Sequence, residues 1–144
     1  MRSTPILGAA SLLLLACCLG LRAQAEAFQP CAHNTADDPG LRVLLEAVYA
    51  NDANLRMVQR ALGRSETPVQ GSAAEVDLLA WCRCVHESRV SALGEQLAVD
   101  MTSLQPERAA RYDAWFRALP PEKQREITVD RWAADATCVD ASRK

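Results

Sequence analysis

The sequence predicts an all-α fold: a small bundle of about four helices with an extended N-terminal arm, held by two disulfides. Apolar residues recur at helical spacing in several segments, which is typical of amphipathic helices. Runs that alternate β-branched or aromatic residues with polar ones are missing, and the chain has only two phenylalanines and two tyrosines, so nothing favours strands. Four of the six cysteines lie beyond the N-terminal leader, and an even set can pair.

The first 25 residues have the layout of a cleaved secretory signal peptide. Arg2 precedes an apolar run at residues 6–21, and Ala23-Gln24-Ala25 matches the small residues that signal peptidase reads. The run has about 16 residues, fewer than the ~20 that cross a bilayer as a helix. We therefore expect residues 26–144 to form one domain, periplasmic or secreted, with no stable membrane insertion after cleavage.

A lipid anchor is the alternative to simple cleavage. Leu14-Leu15-Ala16-Cys17 resembles a bacterial lipoprotein cleavage site, which would leave the chain attached through Cys17. That cleavage would also retain Cys18 as an odd thiol, whereas cleavage after Ala25 leaves four cysteines. The even number favours the secretory signal peptide.

The first helical segment follows an arm at residues 26–38. Pro39 suits the first position of a helix, and Asp37 or Asp38 can cap it. Asn51-Asp52 can divide the segment into two shorter helices, and Gly63 is a plausible end. The expected apolar stripe contains Leu41, Leu44, Val48, Asn51, Leu55, Val58 and Leu62.

A long central helix is expected after a loop at residues 63–72. Ser72 and Glu75 have the spacing of a capping box, and Gly94 weakens the continuity of the helix that follows. This helix is apolar on two sides, so we expect it at the centre of the bundle. Its expected stripe contains Val76, Leu79, Val90, Leu93, Leu97, Met101 and Leu104.

Two further helices complete the expected bundle. Pro106 begins the third and Pro120-Pro121 separates it from the fourth. The apolar positions expected to face the core are Ala109, Tyr112, Phe116 and Leu119 in the third helix, and Ile127, Trp132, Ala136 and Val139 in the fourth.

The cysteines predict how the bundle is held together. Cys82 and Cys84 lie two positions apart on a helix, so their side chains point about 200° apart and each must pair with a cysteine elsewhere. Cys31 and Cys138 lie at the two ends of the domain. Because Cys82 lies nearer the expected apolar stripe, we favour Cys31–Cys84 with Cys82–Cys138, and the opposite assignment stays open.

Metal binding is the alternative use of the same residues. Cys31-Ala32-His33 and Cys84-Val85-His86 both have the Cys-x-His pattern, and thiolates with imidazoles can bind zinc or copper. The spacing does not match the usual zinc fingers, and an oxidising compartment favours disulfides. We therefore expect no metal and no cofactor.

Four residues are candidates for binding a partner. Arg83 and His86 are polar residues on the expected apolar stripe, so they could line a cleft, although a structural histidine beside a solvated arginine is the simpler interpretation. Trp115 with Arg111 would form a binding hot spot if the tryptophan were exposed, but a core or half-buried tryptophan is favoured.

The functional expectation is an exported, non-enzymatic protein that binds another protein. No Gly-x-Ser-x-Gly, His-Glu-x-x-His or phosphate-binding glycine loop is present, so no catalytic residues are predicted. The net charge of -2 and pI near 5.7 disfavour nucleic-acid binding. The alternatives are a periplasmic immunity or inhibitor protein against a secreted effector, a periplasmic Cys/His metal-binding protein, and a small enzyme around His86.

Overall fold

The computed structural model describes Cys31, residues 36–103 and residues 105–144. The expected signal peptide and most of the expected arm lie outside these residues. The described part contains six α-helices: α1 (Pro39–Ala50), α2 (Asp52–Ala61), α3 (Leu78–Leu93), α4 (Glu95–Thr102), α5 (Pro106–Ala118) and α6 (Pro121–Ala141). The all-α class is therefore confirmed, with six helices where about four were expected.

Two interruptions of helical conformation account for the higher number of helices. Asn51 separates α1 from α2, and its side-chain amide donates a hydrogen bond to the carbonyl of Ala47 at 2.8 Å. Gly94 separates α3 from α4 with φ 83°, a left-handed conformation that residues with a Cβ rarely adopt. The division at Asn51-Asp52 that the sequence left open is present, and the long central helix is two helices.

Three of the four helix starts expected from the sequence are present, and the start of the central helix differs. Asp38 caps α1, its Oδ1 accepting the backbone N–H of Leu41 at 2.8 Å, and prolines begin α1, α5 and α6. The capping box of Ser72 and Glu75 is formed, but on a short 3-10 turn at Ala73–Glu75. The helix α3 begins later, capped by Asp77.

The C-terminal residues fix that short turn in place. Val76 forms an isolated antiparallel bridge with Arg143. The backbone N–H of Asp77 donates to the carbonyl of Ser142 at 2.8 Å, and that of Lys144 donates to the carbonyl of Glu75 at 2.9 Å. These bonds pair the residues directly before α3 with the residues that follow α6. Val76 therefore lies outside the helix to which the sequence assigned it.

The core lies where α1, α3 and α6 meet. Its main cluster includes buried Leu45, Trp81, Val85 and Val139, and a second cluster joins Leu55 of α2 to Val129 and Ala136 of α6. The helix α3 packs against α1, α4 and α6, which agrees with the central position expected for it, while α5 packs against α4. Among the described helices, none is both long and apolar enough to cross a membrane.

Candidate functional site

Two disulfides join α3 to the two ends of the domain. Cys31 pairs with Cys82 and Cys84 pairs with Cys138, with Cα atoms 6.1 Å and 5.6 Å apart. The expectation that each cysteine of α3 would form a disulfide with a cysteine at one end of the domain is confirmed. The favoured assignment, Cys31–Cys84 with Cys82–Cys138, is wrong.

The pairing follows from which face of α3 is buried. Leu78, Trp81 and Val85 are the buried residues of this helix, and at 100° per residue Cys82 and Cys84 flank them on opposite sides. Cys84 lies on the side that faces buried Cys138 of α6. The error came from the stripe counted from Val76, which precedes the helix and gave the wrong phase.

A groove opens on the other side of α3, between that helix, α1 and α6. It has a volume of about 560 Å³, within the usual range of ligand-binding clefts. Cys31 and Cys82 form part of its wall. The large apolar side chains that line it are Leu41, Leu44, Val48, Leu55, Trp81, Val85 and Trp132.

Two of these apolar side chains are exposed at the rim of the groove. Leu44 is 59% exposed and Trp132 is 38% exposed, although the sequence assigned both to core-facing stripes. Leu62, from the same expected stripe as Leu44, is also exposed. These residues are at helical spacing, but the sequence cannot tell whether a stripe faces the core or an open groove.

An ion pair between α3 and α6 lies at the groove. The guanidinium of Arg89 is 3.5 Å from a carboxylate oxygen of Asp135, and both side chains are largely buried. Burial raises the pKa of Asp135 and lowers the pKa of Arg89, each against the effect of the partner's charge. The backbone carbonyl of Asp135 also accepts the indole N–H of Trp81 at 3.1 Å. The pair therefore connects α3 and α6, two of the three helices that border the groove.

Sequence reasoning missed this ion pair. Arg89 lies one turn after His86 on α3, but nothing in the chain order indicates that Asp135 lies opposite. The signal available in the sequence was weak: Arg89 directly precedes Val90, and Asp135 directly precedes Ala136, both of which belong to expected apolar stripes.

His86 is the predicted site residue that the structure places in the groove. It is half-buried and lines the groove with Cys82, one helical turn earlier. Burial lowers the pKa of His86, and the charge of Arg89 lowers it further, while Glu87 and Glu95 oppose these effects. The lowered pKa favours the neutral form of the imidazole. Arg83 is exposed and does not line the groove, so the cleft shared by Arg83 and His86 is not formed.

Arg111 and Trp115 belong to a different part of the molecule. The guanidinium of Arg111 donates two hydrogen bonds to Asp100, at 3.0 and 2.8 Å, which connects α5 to α4. Trp115 is half-buried, with its ring 5.7 Å from that of Tyr112. The favoured interpretation of Trp115 is confirmed, and Arg111 has a structural partner that the sequence did not identify.

The metal alternative depends on the cysteines and the two histidines of the chain. All four cysteines in the described part of the chain are engaged in disulfides, and His33 lies outside that part. Within the described ranges no cluster of three or more His, Cys, Asp or Glu side chains is placed to hold a metal ion. No protein-family model, curated protein or solved structure matches the chain.

Proposed function

We propose that this chain is an exported, non-enzymatic protein that binds another protein through the groove between α1, α3 and α6. The observation that carries the proposal is the pair of exposed apolar side chains at the groove rim, Leu44 and Trp132. Apolar side chains around a concave surface are typical of interaction sites, and a tryptophan there is a common hot spot.

The chemistry of the groove favours an apolar segment of a partner protein as its occupant. Asp135 is paired with Arg89, and Asp38 accepts the N–H of Leu41, so these polar groups already have partners within the chain. Burial of apolar surface would then supply most of the binding free energy. A partner side chain inserted between Leu44 and Trp132 is the simplest occupant.

Export to the periplasm or the medium is part of the proposal. The leader has the three regions of a secretory signal peptide, and disulfides persist mainly in oxidising compartments. Attachment through Cys17 remains the alternative to release. The intact mass of the native protein separates the two, since cleavage after Ala25 gives an N-terminal Glu26 and no lipid.

Two aspartate substitutions at equally exposed positions test the groove. Leu44 and Met57 are both 59% exposed, but only Leu44 lines the groove. Leu44→Asp should weaken partner binding about tenfold or more, because a buried leucine contributes about 1.5–3 kcal/mol. Met57→Asp should leave binding unchanged.

The measurement is a quantitative comparison of captured proteins. The wild type and both variants are immobilised in equal amounts and exposed to the exported fraction of the source organism. A partner held by the wild type and Met57→Asp but lost from Leu44→Asp supports the proposal. A partner held equally by all three, with circular dichroism showing equal helix content, would place the binding surface elsewhere.

A further inference from the structure

The two disulfides differ in how their sulfur atoms can react. Cys31 and Cys82 are both half-buried and both line the open groove. Cys84 is also half-buried, but Cys138 is 1% exposed and belongs to the main core. Thiol–disulfide exchange needs access to one sulfur and a good leaving group at the other. Only Cys31–Cys82 offers both.

The leaving groups differ because their surroundings differ. A thiolate released from Cys138 would form inside the apolar core, which raises the pKa of a thiol and disfavours its departure; Ser88 is the neutral neighbour there, with its hydroxyl 3.6 Å from the sulfur. Cys82 shares its face of α3 with His86 and Arg89, four and seven residues on, and all three line the groove. The polar surroundings and the cation of Arg89 favour a thiolate at Cys82 more than the apolar core favours one at Cys138, although Asp135 offsets part of the charge of Arg89.

The two disulfides also differ in what they hold together. Cys84–Cys138 joins α3 to α6 within the main core. Cys31–Cys82 attaches a residue that precedes α1, and α1 keeps its own core contacts through Leu41 and Leu45. Cys31 also has φ 66°, a left-handed backbone that is unfavourable for a residue with a Cβ. Opening this bond therefore leaves the core contacts of Leu41 and Leu45 in place and allows Cys31 to relax.

We propose that Cys31–Cys82 is an exchangeable disulfide, a site at which a dithiol reductant of the exported compartment reacts. The reductant's thiolate attacks Sγ of Cys31, the bond to Sγ of Cys82 breaks, and Cys82 leaves as a thiolate. The second thiol of the reductant then attacks the mixed disulfide and releases Cys31. The reductant is oxidised to its disulfide, and Cys31 and Cys82 take up two electrons and two protons. Cys84–Cys138 stays closed throughout.

Exchange at this site changes the wall of the groove. Both cysteines line it, and so do Trp81 and Trp132, which report on their surroundings by fluorescence. The exchange reaction itself is independent of the proposed function. Only its use, to alter partner binding, rests on that function.

The first experiment compares the reactivity of the two disulfides in the wild-type protein. The oxidised mature protein is treated with dilute dithiothreitol without denaturant, then alkylated at intervals and mapped by mass spectrometry. Cys31 and Cys82 should be alkylated at least about tenfold faster than Cys84 and Cys138, with unchanged helix content and a shift in tryptophan fluorescence. Equal rates, the opposite order, or alkylation only on loss of helix would overturn the proposal.

The second experiment identifies the attacked sulfur. Reduced glutathione is added in slight excess, and the mixed disulfide is trapped with acid and mapped. Glutathione should be found on Cys31, because Cys82 is the better leaving group; glutathione mainly on Cys82 or Cys84 would contradict the mechanism. The Cys31→Ser/Cys82→Ser variant is the matched control and should keep its helix content while losing the fast reaction. These readouts involve no partner, so failure of the groove to bind a protein leaves them interpretable.

Discussion

At the scale of single residues, the carboxylate of Asp100 is a buried charge held by hydrogen bonds from two side chains. The residue is 2% exposed, and its oxygens accept hydrogen bonds from Arg111 and, at 3.1 Å, from Gln96. The hydrogen bonds from Arg111 hold the pKa of Asp100 below its ordinary value. A carboxyl with a lowered pKa stabilises the fold above its ordinary pKa, and the stabilisation is lost as the pH falls through the lowered value.

Removing the guanidinium should therefore destabilise the protein in a pH-dependent way. Arg111→Leu leaves a buried, uncompensated carboxylate, so we expect the midpoint of thermal unfolding at pH 7 to fall by several degrees. The difference from the wild type should shrink below about pH 4 as Asp100 is protonated. Thermal unfolding followed by circular dichroism from pH 3 to 7 measures both effects.

Arg117→Leu is the matched control on the same helix. Arg117 pairs with Asp113 at 3.8 Å, but both side chains are exposed, and exposed pairs contribute little. This variant should unfold close to the wild type at every pH. A decrease in the unfolding midpoint as large as that of Arg111→Leu would show that a change on the α5 surface, rather than loss of the bonds to Asp100, causes the destabilisation.

At the scale of elements, the local signals in the sequence predict most helix boundaries. Prolines at positions 39, 106 and 121 and the carboxylate of Asp38 act within a single turn, so they can be recognised without knowing the fold. The start of α3 could not be predicted, because the turn before it is held by backbone bonds to Ser142 and Lys144. The groove was missed for the same reason: Arg89 and Asp135 come together only when α3 and α6 pack.

The break between α3 and α4 depends on the backbone of Gly94. No atom lies within 4 Å of the position that a Cβ would occupy, so Gly94→Ala meets no steric clash and its cost comes from φ 83° alone. At φ 83° and ψ 159° the backbone lies in a region essentially restricted to glycine, so we expect a loss of about 1–3 kcal/mol in the free energy of unfolding, measured by urea denaturation. Ser91→Ala, at an exposed position in α3, should change stability little or slightly raise it. A stabilising effect of Gly94→Ala would mean that the two helices can join.

At the scale of the whole molecule, one helix is the attachment point for both disulfides. The sequence predicted this arrangement, because two cysteines 200° apart on a helix cannot pair with each other. The sequence could not predict which of the two pairs with Cys31 and which with Cys138, because that depends on the face of α3 against which α6 packs. The two bonds span similar sequence separations, 51 and 54 residues.

Because the separations are similar, each bond should lower the entropy of the unfolded chain by a similar amount. In the chain-entropy model, each bond then stabilises the folded protein by about 4 kcal/mol. Deleting Cys84–Cys138 should cost more overall, because Cys138 is also packed in the main core. Deleting Cys31–Cys82 should lower the free energy of unfolding less. Cys31 precedes α1, so it gains conformational freedom in the folded protein as well as in the unfolded chain, and the two gains partly cancel. Thermal unfolding of Cys84→Ala/Cys138→Ala and Cys31→Ala/Cys82→Ala compares them. Equal losses would show that the segment at Cys31 is as firmly packed as α6.

The order of the four cysteines along the chain has a consequence for biogenesis. Among the cysteines that the structure describes, the first pairs with the second and the third with the fourth, so each of these bonds joins neighbours in the order of synthesis. A chain that crosses a membrane N-terminus first presents its cysteines in that same order. An oxidase that simply joins successive thiols would then make the native bonds directly, and we expect the protein to mature in cells that lack a disulfide isomerase.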